Sequence, residues 1–144
     1  LIIENIKLLQ ELETSIEIKF ESNLSTINLE SDKEQLSRVF LNLIKNSIES
    51  IQQKVQNDSN TNKKIDIELN DHDDHINLTI IDTGIGFENL KSNIKDILNP
   101  YFTTKKNGTG LGLSIVNKII NDHNGNIEFI PINDGAKIKI IFKK

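Results

Sequence analysis

Between Leu36 and Ile80 the apolar residues change their spacing once, and that change limits what the chain can become. Leu36, Val39, Phe40, Leu43, Ile44, Ser47, Ile48 and Ile51 recur at helical intervals, and the spacing predicts a long helix from Asp32 to about Val55. Ser31 with Glu34 matches a capping box at its start. Beyond the polar turn from Asn57 to Asn62, Ile65, Ile67 and Leu69, then Ile76, Leu78 and Ile80, alternate strictly on either side of Asp71-His72-Asp73-Asp74. That pattern predicts strand, turn, strand. The chain must therefore combine a long helix with paired strands.

The flanking segments add to this frame. Ile2, Ile6, Leu9 and Leu12 stand at helical spacing, and shorter alternations such as Ile16, Ile18 and Phe20 predict strands between Ser15 and Leu29. Helical spacing returns from Leu111 to His123 through Ile115, Val116, Ile119 and Ile120, with Asn124-Gly125 supplying the left-handed residue that closes a helix. Ile127 to Ile130 and Ala136 to Phe142 form a hairpin pattern around Asn133-Asp134-Gly135. From Gly84 to Gly110 no period is sustained, and so long an irregular stretch in a small domain reads as a functional lid.

Length and charge exclude several classes of function. The 144 residues suit one domain, residues 1 to 144, and the net charge of -4 without a basic face argues against a nucleic-acid partner. With no cysteine there is neither a disulfide nor a thiolate metal site, which fits a reducing compartment such as the cytoplasm. No stretch approaches the roughly 20 apolar residues that cross a bilayer, so this piece is not expected to be membrane-embedded. The start inside an amphipathic run without Met reads as a fragment of a longer parent, for which a membrane anchor with this domain on the cytoplasmic side is compatible.

Four segments carry chemistry. Asn42 and Asn46 lie one helical turn apart on a polar stripe that Glu49 extends, and their carboxamide oxygens could coordinate Mg²⁺ that keeps waters and substrate phosphates. Asp82 closes a strand and is followed by Thr83-Gly84-Ile85-Gly86. An ionised Asp only accepts hydrogen bonds, which suits the exocyclic amine of adenine and rejects the carbonyl of guanine, while the glycines let backbone approach a flat ligand.

Gly108-Thr109-Gly110-Leu111-Gly112-Leu113 opens a helix where free backbone N–H groups could meet phosphate oxygens. It matches neither the P-loop pattern nor the dinucleotide fingerprint. Just before it, Pro100-Tyr101-Phe102-Thr103-Thr104-Lys105-Lys106 sets an aromatic anchor beside two cations suited to a transferring phosphoryl group. Taken singly, these segments read as well as solvated asparagines, a tight turn, a hinge and an exposed basic loop.

Together, NLIKNSIE (42 to 49), DTGIGF (82 to 87), PYFTTK (100 to 105) and GTGLGLSIV (108 to 116) resemble the N, G1, F and G2 boxes of sensor histidine kinases, most closely the NtrB and NtrY-like branch. The resemblance implies an α/β fold of the Bergerat type. That is an α+β two-layer sandwich: a mixed sheet with helices on one face and an ATP lid between Gly84 and Gly110. It implies Asn46 as the Mg²⁺ ligand, Asn42 as its partner near the phosphates and Asp82 as the adenine reader. Gly84 and Gly86 would shape the base pocket, Gly108, Gly110 and Gly112 would hold the phosphates, and Lys105 would be the lid cation.

By the same resemblance, Glu49, Phe102, Thr103, Thr104, Thr109 and Leu111 join the ATP site, and Asn42, Asn46 and Lys105 are its catalytic residues. Many of these kinases have Lys where Glu49 stands and Ala where Ser47 stands; Lys45 or the lid lysines could supply the missing charge.

The activity implied is transfer of the ATP γ-phosphoryl group to a histidine on a separate dimerisation domain, with a response-regulator receiver domain downstream. No such histidine is in this chain. His72 and His75 lie in an acidic turn, and His123 ends a helix, where the dipole favours a cation. The fragment is expected to bind ATP and hardly autophosphorylate. An anti-sigma-factor-type serine kinase of the same superfamily and a non-catalytic ATP-sensing module are alternatives. Gyrase-like and chaperone-like members normally carry Glu where Asn42 stands, which argues against a hydrolase.

Overall fold

A computed structural model of the chain describes residues 1–12, 15–23, 31–86 and 112–144. In order they form α1 (Ile2–Leu12), β1 (Glu17–Ser22), α2 (Lys33–Asn57), β2 (Lys64–Asp71), β3 (His75–Asp82), α3 (Gly112–Asp122), β4 (Gly125–Ile132) and β5 (Gly135–Lys143). The strands make one five-stranded sheet in the order β1-β2-β3-β5-β4. β1 pairs with β2 in parallel, and the other neighbours are antiparallel. The fold is thus the α/β architecture with a mixed sheet that the sequence motifs implied.

Alternation decides which strand residues meet the helices. Ile65 and Ile67 of β2, Ile76, Leu78 and Ile80 of β3, and Ile138, Ile140 and Phe142 of β5 are buried in register on one face. Val39, Phe40, Leu43, Ile44, Ile48 and Ile51 of α2 and Val116, Ile119 and Ile120 of α3 fill the same core, with Ile6 and Leu9 of α1 at its margin. Asp82 continues the odd-one-out row 76, 78, 80, 82, so the period that buries three apolar residues also turns its carboxylate under α2.

α2 runs two residues past the expected end, and its cap differs from the capping box. The side chain of Asp32, not Ser31, accepts the N–H of Gln35 at 3.1 Å. The cap also receives α3: the N–H of Asp32 donates to Nε2 of His123 at 3.0 Å, while Nδ1 of His123 lies 2.8 Å from the carbonyl of Ile119. Both contacts are satisfied by the neutral ring that carries its proton on Nδ1. His123 is therefore structural, as a helix-end histidine usually is, and it clasps two helices together.

Asn124 takes the left-handed conformation expected after α3, and Asp134 takes it in the β4–β5 turn. Pro131 falls on β4, at the sheet edge, where a missing N–H breaks no ladder. No helix among the described residues is long and apolar enough to cross a membrane.

Candidate functional site

The end of β3 is built by contacts from three directions. The N–H of Gly84 donates to Oδ1 of Asp82 at 2.9 Å, turning the chain sharply back on the carboxylate. The Thr83 hydroxyl accepts the N–H of Lys64 at 3.1 Å and donates to the carbonyl of Asn62 at 2.5 Å, which locks the strand exit to the start of β2. From above, α2 reaches down with Ser47 and Ser50, one turn apart. Ser50 accepts the N–H of Ile85 at 2.9 Å.

Asp82 is 5% exposed, and burial pushes its carboxyl above the ordinary carboxylate value. The backbone N–H groups of Gly84 and Ala136, the Ser47 hydroxyl and the more distant Lys54 ammonium oppose that shift. Ser47 favours the charge without making a regular hydrogen bond, since its Oγ has no partner of good geometry.

The glycines are required by close approach. A Cβ on Gly84 would stand 2.2 Å from Ser50 Oγ and 2.8 Å from the Ser50 backbone carbon. Gly86 has φ +70, and its Cβ would meet the carbonyl oxygen of Gly135 at 2.3 Å. Gly135 is in turn pressed on Asp82, where a Cβ would lie 2.0 Å from the carbonyl oxygen. The β4–β5 turn is thus the back wall of the Asp82 loop.

The polar stripe of α2 leads from this loop to the start of α3. Asn42, Asn46 and Glu49 are half-buried, and the nearest neighbour to a Cβ on Gly112 is the Asn42 side-chain oxygen at 3.8 Å. Asn42 and Ser50 are separated by about 12 Å along the helix axis. One helix therefore joins a buried carboxylate at one end to the N-terminal turn of α3 at the other. Phe102, Thr103, Thr104, Lys105, Gly108, Thr109, Gly110 and Leu111 lie outside the described residues, as does most of the expected lid.

Ser50 and Gly135 were missed in the sequence. Ser50 sits beside the apolar row of α2, and Gly135 reads there only as a turn residue. Ser47 stands inside that apolar row, and a hydroxyl in such a row is the signal that could have flagged it.

Residues 31–144 match the family model described as Histidine kinase-, DNA gyrase B-, and HSP90-like ATPase. An NtrY-like relative from Rickettsia felis is 34% identical over 142 residues, covering 98% of this chain and 22% of its own length. The sensor histidine kinase ZraS of Salmonella typhimurium is 33% identical over 128 residues, 88% of this chain and 25% of that protein. The chain therefore spans about a quarter or less of these relatives.

The nucleotide-free catalytic domain of histidine kinase ThkA superposes with a TM-score of 0.79 at 29% identity, over 99% of this chain and 90% of that one. ThkA has also been solved in complex with the response regulator protein TrrA; that kinase chain superposes with a TM-score of 0.73 at 27% identity, over 99% of this chain and 39% of that one.

Proposed function

The chain belongs to the histidine kinase-, DNA gyrase B- and HSP90-like ATPase family, and on that premise we propose that it is the single Mg²⁺-ATP-binding catalytic domain of a sensor histidine kinase of the NtrY-like kind. The observation that supports this best is the buried Asp82 at the end of β3, turned under α2 and wrapped by Gly84. An anionic acceptor enclosed there takes an amine hydrogen from a purine and rejects a carbonyl oxygen at the same place. Gly84 and Gly86 keep the loop thin enough for a flat ring.

The phosphates would run along the α2 stripe toward α3. Asn42 faces Gly112 there, and the N-terminal N–H groups of α3 can receive anionic oxygens. Gly108, Gly110 and Gly112 would complete that cradle, with Thr109 and Leu111 beside it, while Phe102, Thr103 and Thr104 would flank it and Lys105 would neutralise the transferring group.

Among the described residues no cluster of three or more acidic or histidine side chains could hold a metal by itself. A magnesium ion bound through one carboxamide oxygen and the substrate phosphates needs no such cluster, and Asn46 is the residue proposed to hold it. The ion would neutralise charge on the phosphates; Glu49 would tune that region.

Transfer would pass the γ-phosphoryl group to an imidazole on a separate dimerisation domain, and from there to a response-regulator receiver domain. Positioning and charge neutralisation supply the catalysis, so an untethered domain loses the effective concentration of a linked partner.

Isothermal titration of the chain with ATP and GTP, with and without Mg²⁺, tests the pocket. ATP binding strengthened by Mg²⁺, with GTP much weaker, is the expected result. No ATP binding, or equal binding of GTP, would sink the proposal. Adding a histidine-bearing helical domain in trans should then yield acid-labile phosphohistidine; its absence would leave an ATP-sensing module instead.

A further inference from the structure

We infer that Ser47 is a second base-reading residue, whose hydroxyl donates, directly or through one water, to the ring nitrogen that neighbours the amine of adenine. The assignment builds on the adenine-nucleotide reading above. The edge of adenine that meets Asp82 presents two groups side by side, an exocyclic N–H donor and a ring-nitrogen acceptor. The ionised carboxylate can satisfy only the first, because it has no hydrogen to give. A donor is needed for the second.

The described donors around Asp82 are nearly all spent. The Gly84 N–H goes to Oδ1 of Asp82 and the Ile85 N–H to Ser50 Oγ. The Thr83 hydroxyl donates to the Asn62 carbonyl, and the Thr83 N–H donates to the Lys64 carbonyl at 3.2 Å. Ser47 is different. Its side chain is on α2 beside the carboxylate, the residue is 2% exposed, and Oγ has no hydrogen-bond partner of regular geometry. A buried hydroxyl whose contact with the carboxylate is irregular is incompletely satisfied, so a ligand group that engages it well gains affinity. The hydroxyl also rotates, so its hydrogen can turn from the carboxylate toward the base without moving the helix.

Base choice and base affinity are then carried by different residues. Asp82 selects against guanine through its charge, while Ser47 adds strength for any purine with an unprotonated nitrogen beside the amine.

The test is titration of ATP and 1-deaza-ATP, in which that nitrogen is a C–H, into the chain and into Ser47→Ala. The unsubstituted chain is expected to prefer ATP by about 10-fold, a common size for one buried hydrogen bond. Ser47→Ala should lose about that factor for ATP and leave 1-deaza-ATP binding nearly unchanged. Equal weakening of both nucleotides, or no preference in the unsubstituted chain, would overturn the assignment. If the unsubstituted chain binds neither nucleotide, the ATP reading itself fails. The variant is small enough to fold, and its unfolding midpoint without nucleotide should match or exceed that of the unsubstituted chain. A lowered midpoint together with equal weakening would make Ser47 purely structural.

Discussion

Ile85 donates its backbone N–H to the hydroxyl of Ser50 at 2.9 Å, across 35 residues of sequence. A helix side chain thereby fixes the path of the glycine loop that follows Asp82. Ser50→Ala would leave that N–H without its acceptor in a half-buried place. Stability should fall by about 1–2 kcal/mol in denaturant unfolding, and ATP affinity should drop with it as the loop loosens.

Gly84→Ala should be worse than a typical surface change. The added methyl would collide with Ser50 Oγ, and also with the Ser50 backbone carbon at 2.8 Å, which cannot step aside. Overpacking of this kind costs about 1–3 kcal/mol. Combining it with Ser50→Ala should not restore stability, because the backbone clash remains. Full rescue in the double variant, measured by thermal unfolding, would show that only the side chain was in the way.

Asp82→Asn separates stability from binding. The carboxyl is raised by burial, so it holds its proton more tightly folded than unfolded. Stability from this group is complete below the ordinary carboxylate value and is lost as pH rises through the folded value. The amide has no charge to bury and can keep the Gly84 bond through its oxygen. Without nucleotide, the variant should therefore be as stable as the unsubstituted chain at acid pH and more stable at neutral pH. ATP affinity at neutral pH should drop about 10-fold or more, the weight of a charge-assisted bond. A variant less stable at neutral pH than at acid pH, relative to the unsubstituted chain, would contradict the burial account.

The buried place of Asp82 was legible in the sequence. The alternation of Ile76, Leu78 and Ile80 places Asp82 on the buried face by counting. The row of Leu43, Ile44, Ser47 and Ile48 held a signal for Ser47, but there it was counted as part of the helix's buried face. What could not be counted was contact between distant segments. Nothing in the spacing of Asn133-Asp134-Gly135 says that Gly135 presses on the Asp82 carbonyl, since that follows from β5 pairing with β3. The Asp32 cap was obscured because Ser31 and Glu34 offer an equally good local pattern; the long-range bond from His123 to the Asp32 N–H favours the shifted cap.

His123→Ala should loosen the clasp between α2 and α3. It removes the acceptor for the Asp32 N–H and the ring beside the Ile119 carbonyl. A loss of about 1–2 kcal/mol is expected, with faster amide hydrogen exchange at the first turn of α2 and the last turn of α3. Exchange unchanged in both turns would count against the clasp.

β5 lies inside the sheet, between β3 and β4, although it follows every other described strand in the chain. β3 therefore gains its second neighbour only when the β4–β5 hairpin is in place. The wall behind Asp82 arrives with that same hairpin, through Gly135. On the proposed reading, a chain with that hairpin undocked lacks the back wall of the base site, so nucleotide recognition depends on the hairpin closing the sheet.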